Sequence, residues 1–261
     1  MIRLDGWDLA VAASLVLLLG LLSGRWDRRL ARSLLVAALR TTVQLLLVGL
    51  VLRLVFQRAG LGWVTLIALV MLAAAAREVR ARQHRPFRGG WGFGIGALSM
   101  FLSSFSVTLF ALLAVVGPHP WYQPQYAIPL LGMMLGNTMT GVALGLDRFT
   151  QGARERRPAI EARLMLGFEA ADAVRELRRD SLRSGLIPII NSMAAAGLIS
   201  LPGMMTGQIL AGSPPVEAVK YQVMIMFLVS SGTGLGVMAA VWVAARRLFD
   251  QQQRLRLDRL A

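Results

Sequence analysis

Two short segments of the sequence carry thioether, amide and hydroxyl groups at the same spacing, and these groups can bind a metal ion. One begins at Gly132 and the other at Gly203, and both read Gly-Met-Met-x-Gly followed by an amide residue. Thioether sulfur prefers soft metal ions, whereas amide and hydroxyl oxygens suit harder ones. The predicted metal ligands are Met133, Met134, Met204 and Met205. The amide and hydroxyl residues predicted to line the same transport path are Asn137, Thr140, Thr206 and Gln208.

The same two segments also have a purely structural interpretation. A Gly-x-x-x-Gly spacing lets two helices approach backbone to backbone in a bilayer, and Asn or Gln can hydrogen-bond across such an interface. A path for cargo and a helix–helix interface therefore both stay open. The mixture of sulfur and oxygen donors does not select one cargo.

Catalytic and ATP-binding groups are missing from the apolar parts of the sequence. All 14 carboxylates lie outside the apolar stretches, and His84 and His119 lie in connections predicted to face opposite sides of a membrane. An aspartyl pair, a Ser-His pair and a His-Glu-x-x-His zinc site are thereby excluded. The sequence has no Gly-x-x-x-x-Gly-Lys loop to hold ATP. Any energy from ATP must therefore come from a partner chain.

The longest hydrophilic stretch, residues 147–183, is nearly balanced in charge, with nine Arg and seven carboxylates. Its apolar residues recur at mostly three- and four-residue steps, which predicts an amphipathic helix. They are Ile160, Leu164, Phe168, Ala171 and Leu177. Such a helix either lies on the membrane surface or docks on a partner protein.

Part of this stretch resembles a loop of ABC-transporter permeases. Residues 161–167 read Glu-Ala-Arg-Leu-Met-Leu-Gly and are similar to the Glu-Ala-Ala-x-x-x-Gly loop, with Arg163 in place of the second Ala. In those permeases the loop holds a short coupling helix in a groove of the ATPase subunit. The resemblance implies that Glu161, Ala162, Gly167 and Phe168 contact an ATPase, and glycine suits a close approach of two backbones.

The sequence predicts that membrane-spanning helices carry these metal-binding and path-lining groups. The chain is 56% hydrophobic and 16% charged, against roughly 25% charged in soluble domains. One bilayer crossing needs about 20 mostly apolar residues. Seven apolar stretches of 15 or more residues are candidates, at residues 9–23, 34–56, 61–76, 91–117, 126–146, 186–212 and 221–245. The sequence predicts an all-α polytopic membrane protein of about seven spans, with one domain over residues 1–261.

The sixth stretch is interrupted by Pro188 and by Leu201-Pro202-Gly203. A spanning helix loses backbone hydrogen bonds at such a break, which is tolerated only inside protein or beside a cavity. Broken helices are common at the substrate sites of transporters. A kinked structural helix is the alternative interpretation.

The basic residues are distributed unevenly between the connections. Most of the 28 Lys and Arg residues follow the first, third, fifth and last stretches. Because cytoplasmic loops carry such an excess, the N-terminus is predicted to lie outside and the C-terminus inside. The net charge of +14 is thus explained by orientation and lipid contact, and no nucleic-acid partner is expected.

Several segments together are similar to the iron-export ABC permease family, which includes bacterial iron-export and plant aluminium-tolerance permeases. They are residues 38–45, 132–140, 200–212 and 218–222, and the resemblance extends over nearly the whole chain. It implies two permease copies with two copies of a separate ATPase that binds ATP and magnesium. It also implies metal export from the inner (plasma) membrane, with iron as the leading cargo and no cofactor in this chain. Gln44 of the first segment is included among the predicted path residues.

Other functions compete with this interpretation. The plant relatives are associated with UDP-glucose, so an ABC permease for a nucleotide sugar is the first alternative. An ion-coupled secondary carrier or a channel is the second, although such carriers usually have an ionisable residue at membrane depth. A scaffold or an intramembrane enzyme is opposed by the missing catalytic groups.

Overall fold

The computed structural model describes residues 5–57 and 60–261. Within these residues the chain forms helices joined by turns, with isolated backbone bridges and no named strand, so the predicted all-α class is confirmed. They divide into two compact units, Met1–Ala59 and Gly60–Ala261. The single domain over residues 1–261 stays a prediction.

The first unit is a helical hairpin of α1 (Gly6–Trp26) and α2 (Arg28–Gln57). Asp27 separates the two helices. Its N–H donates to the carbonyl of Ser23 at 2.8 Å, and its Oδ1 accepts the N–H of Arg29 at 2.7 Å. The one residue thus ends α1 and caps α2. Most leucine and valine side chains described on these helices are exposed, which suits a lipid environment.

The second unit is built around one long central helix, α5. Its helices are α3 (Leu61–Ala81), α4 (Trp91–Val116), α5 (Pro124–Glu155), α6 (Arg157–Met165), α7 (Ala170–Ala173), α8 (Arg175–Ala195), α9 (Gly203–Leu210) and α10 (Pro215–Leu248). Helix α5 packs against α3, α8 and α10. Helix α4 includes two π-helical segments, Phe101–Phe105 and Ala111–Val116.

Six helices of the described chain are long and apolar enough to cross a bilayer, namely α1, α2, α3, α4, α5 and α10. The remaining predicted span, residues 186–212, is divided between the end of α8 and the short α9. The break expected at Pro202 is confirmed, but Pro188 lies inside α8 and does not end it. Three residues before Pro188, at Gly185, α8 packs closely on α5, as described next. The orientation in the membrane stays a prediction.

Helices α5, α8 and α10 cross at backbone contact distance. A Cβ placed on Gly141 of α5 would lie 2.8 Å from the carbonyl oxygen of Gly185 on α8 and 2.9 Å from Val237 of α10. Gly145, one turn later, also packs against Val237, at 3.1 Å from such a Cβ. At Gly136, by contrast, no described atom lies within 4 Å of that position. Of the two four-residue glycine pairs on α5, Gly141 and Gly145 therefore form the pair at which α8 and α10 pack closely.

We expect Gly141→Ala to destabilise the protein, because its methyl group would overlap backbone atoms that cannot rotate away. Overpacking of this kind costs about 1–3 kcal/mol. Gly136→Ala is the matched control in the same helix and should be neutral or gain up to roughly 1 kcal/mol through helix propensity. Thermal unfolding of both variants in the same detergent measures the difference. Equal melting temperatures would show that the helices do not meet at Gly141.

After α10 the chain folds back against the connection between α3 and α4. Leu260 forms an isolated backbone bridge with the buried Phe87, and the N–H of Arg88 donates to the carbonyl of Arg259 at 2.8 Å. Two hydrogen bonds from the Arg256 guanidinium, at 2.9 and 2.8 Å, lower the pKa of Asp258 to about 2. Asp258 therefore stays ionised at more acidic pH than an unpaired aspartate does.

Candidate functional site

A cleft of about 550 Å³ lies between α5, α8, α10 and the turn that joins α8 to α9. Its lining residues are Met133, Asn137, Ile189, Asn191, Ser192, Ala195, Ser200, Pro202, Gly203, Met204, Gln222, Ile225, Met226 and Val229. Every one of these side chains is uncharged, and the polar groups among them are thioethers, amides and hydroxyls. The cleft therefore offers neutral sulfur and oxygen donors.

The broken helix forms one wall of the cleft. Helix α8 ends at Ala195 because Gly197 has a positive φ of 83°, a conformation that glycine adopts without steric cost. The N–H of Gly197 donates to the carbonyl of Ser200 at 2.9 Å, which closes the turn, and Pro202 then begins α9. Ala195 and Gly203 both line the cleft, so the end of α8 and the start of α9 meet there. These ends carry opposite partial charges from the helix dipoles.

The structure brings two of the four predicted methionine ligands to this cleft. Met133 and Met204 line it. Met134 is fully buried, and its sulfur lies 3.4 Å from where a Cβ on Gly232 of α10 would be. Met205 is half-buried and is not among the lining residues. Metal binding by any of the four stays a prediction, and the geometry favours Met133 and Met204.

Of the predicted amide and hydroxyl residues, the structure also brings only some to the cleft. Asn137 lines the cleft, and its Nδ2 donates to the carbonyl of Met133 at 2.9 Å, which leaves its oxygen available. Thr140 and Thr206 lie outside the lining, and each donates to the carbonyl four residues earlier, at 3.1 and 3.3 Å. Gln208 also lies outside the lining. Their part in a path stays a prediction.

Gln44 lies in the first unit, on an exposed position of α2. Its contribution to a transport path stays a prediction. The segment 38–45 that suggested it is helical throughout.

Five polar or sulfur-bearing lining residues were not predicted as site residues from the sequence: Asn191, Ser192, Ser200, Gln222 and Met226. Asn191 and Ser192 follow the apolar turn of α8 just before the break, where a polar pair is a usable signal. Gln222 and Met226 are separated by four residues on α10 and therefore share one helix face. A lone glutamine near the start of a long apolar helix gave no comparable signal.

A second feature lies at the turn between α6 and α7. The N–H of Gly167 donates to the carbonyl of Leu164 at 3.0 Å, and that of Phe168 donates to Arg163 at 3.1 Å. With a φ of 86° at Gly167, this is the hydrogen-bond pattern in which a left-handed glycine ends a helix. The single amphipathic helix expected over residues 147–183 is therefore divided into the end of α5, then α6, α7 and the start of α8.

Three apolar side chains project from this turn, and we call Met165, Leu166 and Phe168 the apolar tip. They are 83%, 78% and 52% exposed. Of the predicted apolar stripe, Ile160 and Leu177 are buried below the tip. The apolar tip is therefore an exposed apolar surface, and the buried Ile160 and Leu177 anchor the neighbouring helices in the core.

Two ion pairs join α8 to α6 and to Arg156, the residue before α6. Arg156 contacts Asp180 at 2.7 Å, and Arg163 contacts Glu176 at 2.8 Å. Glu161, a predicted ATPase contact, pairs with Arg157 in its own helix at 2.8 Å, and Ala162 is the next residue along that helix. Exposed pairs of this kind contribute about 0–1 kcal/mol each, so they link the two elements only weakly.

Comparison with known proteins gives a match over almost the whole chain. The model of an uncharacterised protein family, UPF0014, matches residues 6–249. A UPF0014 membrane protein of Synechocystis is 38% identical over 251 residues, which cover 96% of this chain and 94% of that protein. An Escherichia coli protein named "Probable iron export permease protein FetB" is 32% identical, covering 97% and 95% of the two chains. The Arabidopsis thaliana protein ALUMINUM SENSITIVE 3 is 28% identical, covering 94% and 88%. No solved structure matches the chain.

Proposed function

Because the chain belongs to the UPF0014 family of membrane proteins, we propose that it is the permease subunit of an ABC transporter that exports a metal ion. Iron is the leading cargo, and a separate subunit hydrolyses ATP. The similarity to the Escherichia coli protein named as an iron export permease supports this assignment. The observation that carries the proposal is the uncharged cleft beside the broken helix.

The cleft has the features of a transport site. The turn between α8 and α9 is irregular backbone that lines a cavity, which is the setting in which a bilayer tolerates such backbone. Helix ends that converge on a site can bind ions through their backbone groups and dipoles. A site without charged side chains also releases an ion readily, which a transport cycle requires.

The lining favours a metal ion over a nucleotide sugar. A nucleotide sugar such as UDP-glucose carries two phosphates, which proteins usually bind with Arg or Lys. None of the residues lining the cleft is basic, whereas Met133 and Met204 offer thioether sulfur. Metal export is therefore the first proposal, and sugar export would need a different surface.

The apolar tip is the proposed docking point for the ATPase. Met165, Leu166 and Phe168 are exposed, and two ion pairs connect Arg156 and Arg163, at either end of α6, to α8. Closure of the ATPase would thus move α8, whose other end forms the wall of the cleft. The assembly proposed is two permease copies with two ATPase copies in the inner (plasma) membrane, with the tip and the C-terminus inside.

Copurification with an ABC ATPase tests the proposal. We expect an ATPase encoded beside this gene to copurify with the full chain and to hydrolyse ATP at least several-fold faster when Fe²⁺ is added. Mg²⁺ at the same excess in every sample serves as the control for a general cation effect. An ATPase that fails to bind, or ATP hydrolysis indifferent to Fe²⁺, would contradict the proposal.

A further inference from the structure

Gln222 is a buried polar residue whose amide oxygen lacks a partner. It lies on α10, is 8% exposed and lines the cleft. No described residue donates a hydrogen bond to its Oε1, although that atom is buried. A buried acceptor without a donor costs free energy, and an apolar residue of similar size would avoid that cost. The presence of an amide at this position therefore requires another reason.

Gln83 shows what a structural glutamine looks like in the same protein. It is 6% exposed and also has an Oε1 without a partner. Its Nε2, however, donates to the carbonyl of Val79 at 3.1 Å and so satisfies the end of α3. Gln222 makes no such bond within the described residues, so helix capping does not explain it.

The neighbours of Gln222 in the cleft form a mixed set of donors. Asn137 faces the cleft with its oxygen available, because its Nδ2 is bound to its own helix. Asn191 adds a further amide, and Met133, Met204 and Met226 add thioether sulfur. Amide oxygen together with thioether sulfur suits a borderline divalent transition metal better than Mg²⁺ or Ca²⁺, which are bound by oxygen ligands.

Because the cleft has no charged side chains, it can bind only an ion of low charge. None of the lining side chains is ionisable, so no carboxylate offsets the cost of removing a cation from water. That cost rises steeply with charge, which opposes a trivalent ion. The cost of leaving water is smaller for a divalent ion that keeps part of its water shell. Such an ion can still exchange one or two waters for amide oxygen.

We propose that Gln222 binds the transported ion directly, its side-chain oxygen replacing one water of a partly hydrated divalent transition-metal ion. Rotation about the last side-chain torsion, which is broad in glutamine, turns the oxygen toward the ion. Asn137 and the sulfur atoms of Met133 and Met204 complete the protein ligands. This inference rests on the proposed function, since it assigns the ligands of the same cleft.

Binding of Co²⁺ to the purified full chain in lipid nanodiscs tests the inference, because Co²⁺ has the required charge and is stable in air. Titration calorimetry gives the affinity, and thermal unfolding without metal gives the stability. We expect Gln222→Leu to lower Co²⁺ affinity at least 10-fold while keeping or raising the melting temperature. Gln83→Leu, the matched buried glutamine, should leave the affinity unchanged.

A second variant covers the case in which Gln222→Leu does not insert. Gln222→Glu has the same shape and adds a negative charge, so a direct ligand should bind Co²⁺ at least 10-fold more tightly. A lower melting temperature for Gln222→Leu together with unchanged affinity would overturn the inference in favour of a structural role.

The failure of this inference can be distinguished from failure of the proposed function. If cells expressing the wild-type chain export metal and Gln222→Leu binds Co²⁺ like the wild type, only the role of Gln222 is wrong. If the wild-type chain neither binds Co²⁺ nor exports metal, the proposed function itself is wrong.

Discussion

Replacing both methionines of the cleft, Met133→Leu together with Met204→Leu, is expected to lower metal efflux at least 10-fold. Each change removes a thioether from the cleft lining and keeps most of the side-chain volume. Swaps between Met and Leu usually cost less than about 1.5 kcal/mol of stability, so the protein should still fold. Efflux from cells that express each variant at matched levels measures the effect.

The sequence supplies a matched control for this experiment. Met134 and Met205 belong to the same two motifs but do not line the cleft. Met134→Leu together with Met205→Leu removes as many sulfur atoms and should export at nearly the wild-type rate. If both double variants export equally, the sulfur atoms of the cleft do not bind the cargo.

Gly167→Arg is expected to abolish association with the ATPase. Gly167 has a φ of 86°, so any L side chain is strained there, and the residue lies within the apolar tip that is proposed to dock. The substitution adds that strain, of roughly 1–2 kcal/mol, and places a charge in an apolar interface. We expect association to weaken by about 100-fold or more, equivalent to roughly 2.7 kcal/mol.

Gly117→Arg is the control for strain alone. Gly117 also has a positive φ, of 61°, and no described atom lies within 4 Å of a Cβ placed there. It ends α4 and lies on the predicted outer side. Its variant should insert and retain the ATPase in a pull-down assay. Retention of the ATPase by Gly167→Arg as well would show that the apolar tip does not dock.

Much of the fold can be predicted from the sequence. The long apolar stretches predicted the helices, and Leu201-Pro202-Gly203 marked the break, which ends where Pro202 precedes α9. The resemblance of residues 38–45, 132–140, 200–212 and 218–222 to the iron-export permease family is confirmed by the family match and the named relatives. These features depend on the residue types within short segments, and the sequence alone gives those.

The composition of the cleft depends on which helix faces meet, and that is a tertiary property. Met133 and Met134 are adjacent in sequence, yet successive residues on a helix point about 100° apart. One lines the cleft and the other packs against Gly232. Helix α5 has two glycine pairs with the same four-residue spacing, Gly132 with Gly136 and Gly141 with Gly145. Only the second pair lies where α8 and α10 cross α5.

The coupling segment shows how one residue can override a periodic pattern. The apolar spacing over residues 160–177 predicted one continuous helix. Gly167 instead adopts a left-handed conformation and ends α6, which turns Phe168 outward while Ile160 stays buried. The glycine was visible in the sequence, but its conformation depends on the turn that follows it.

The most direct test of the central claim is metal transport by the purified permease and its ATPase in sealed proteoliposomes. With the ATPase on the outside, export from the cell corresponds to accumulation of Fe²⁺ in the lumen. We expect Fe²⁺ to accumulate against its gradient only when both subunits and hydrolysable ATP are present. Equal accumulation without ATP or without the ATPase would contradict it and identify a channel or an ion-coupled carrier.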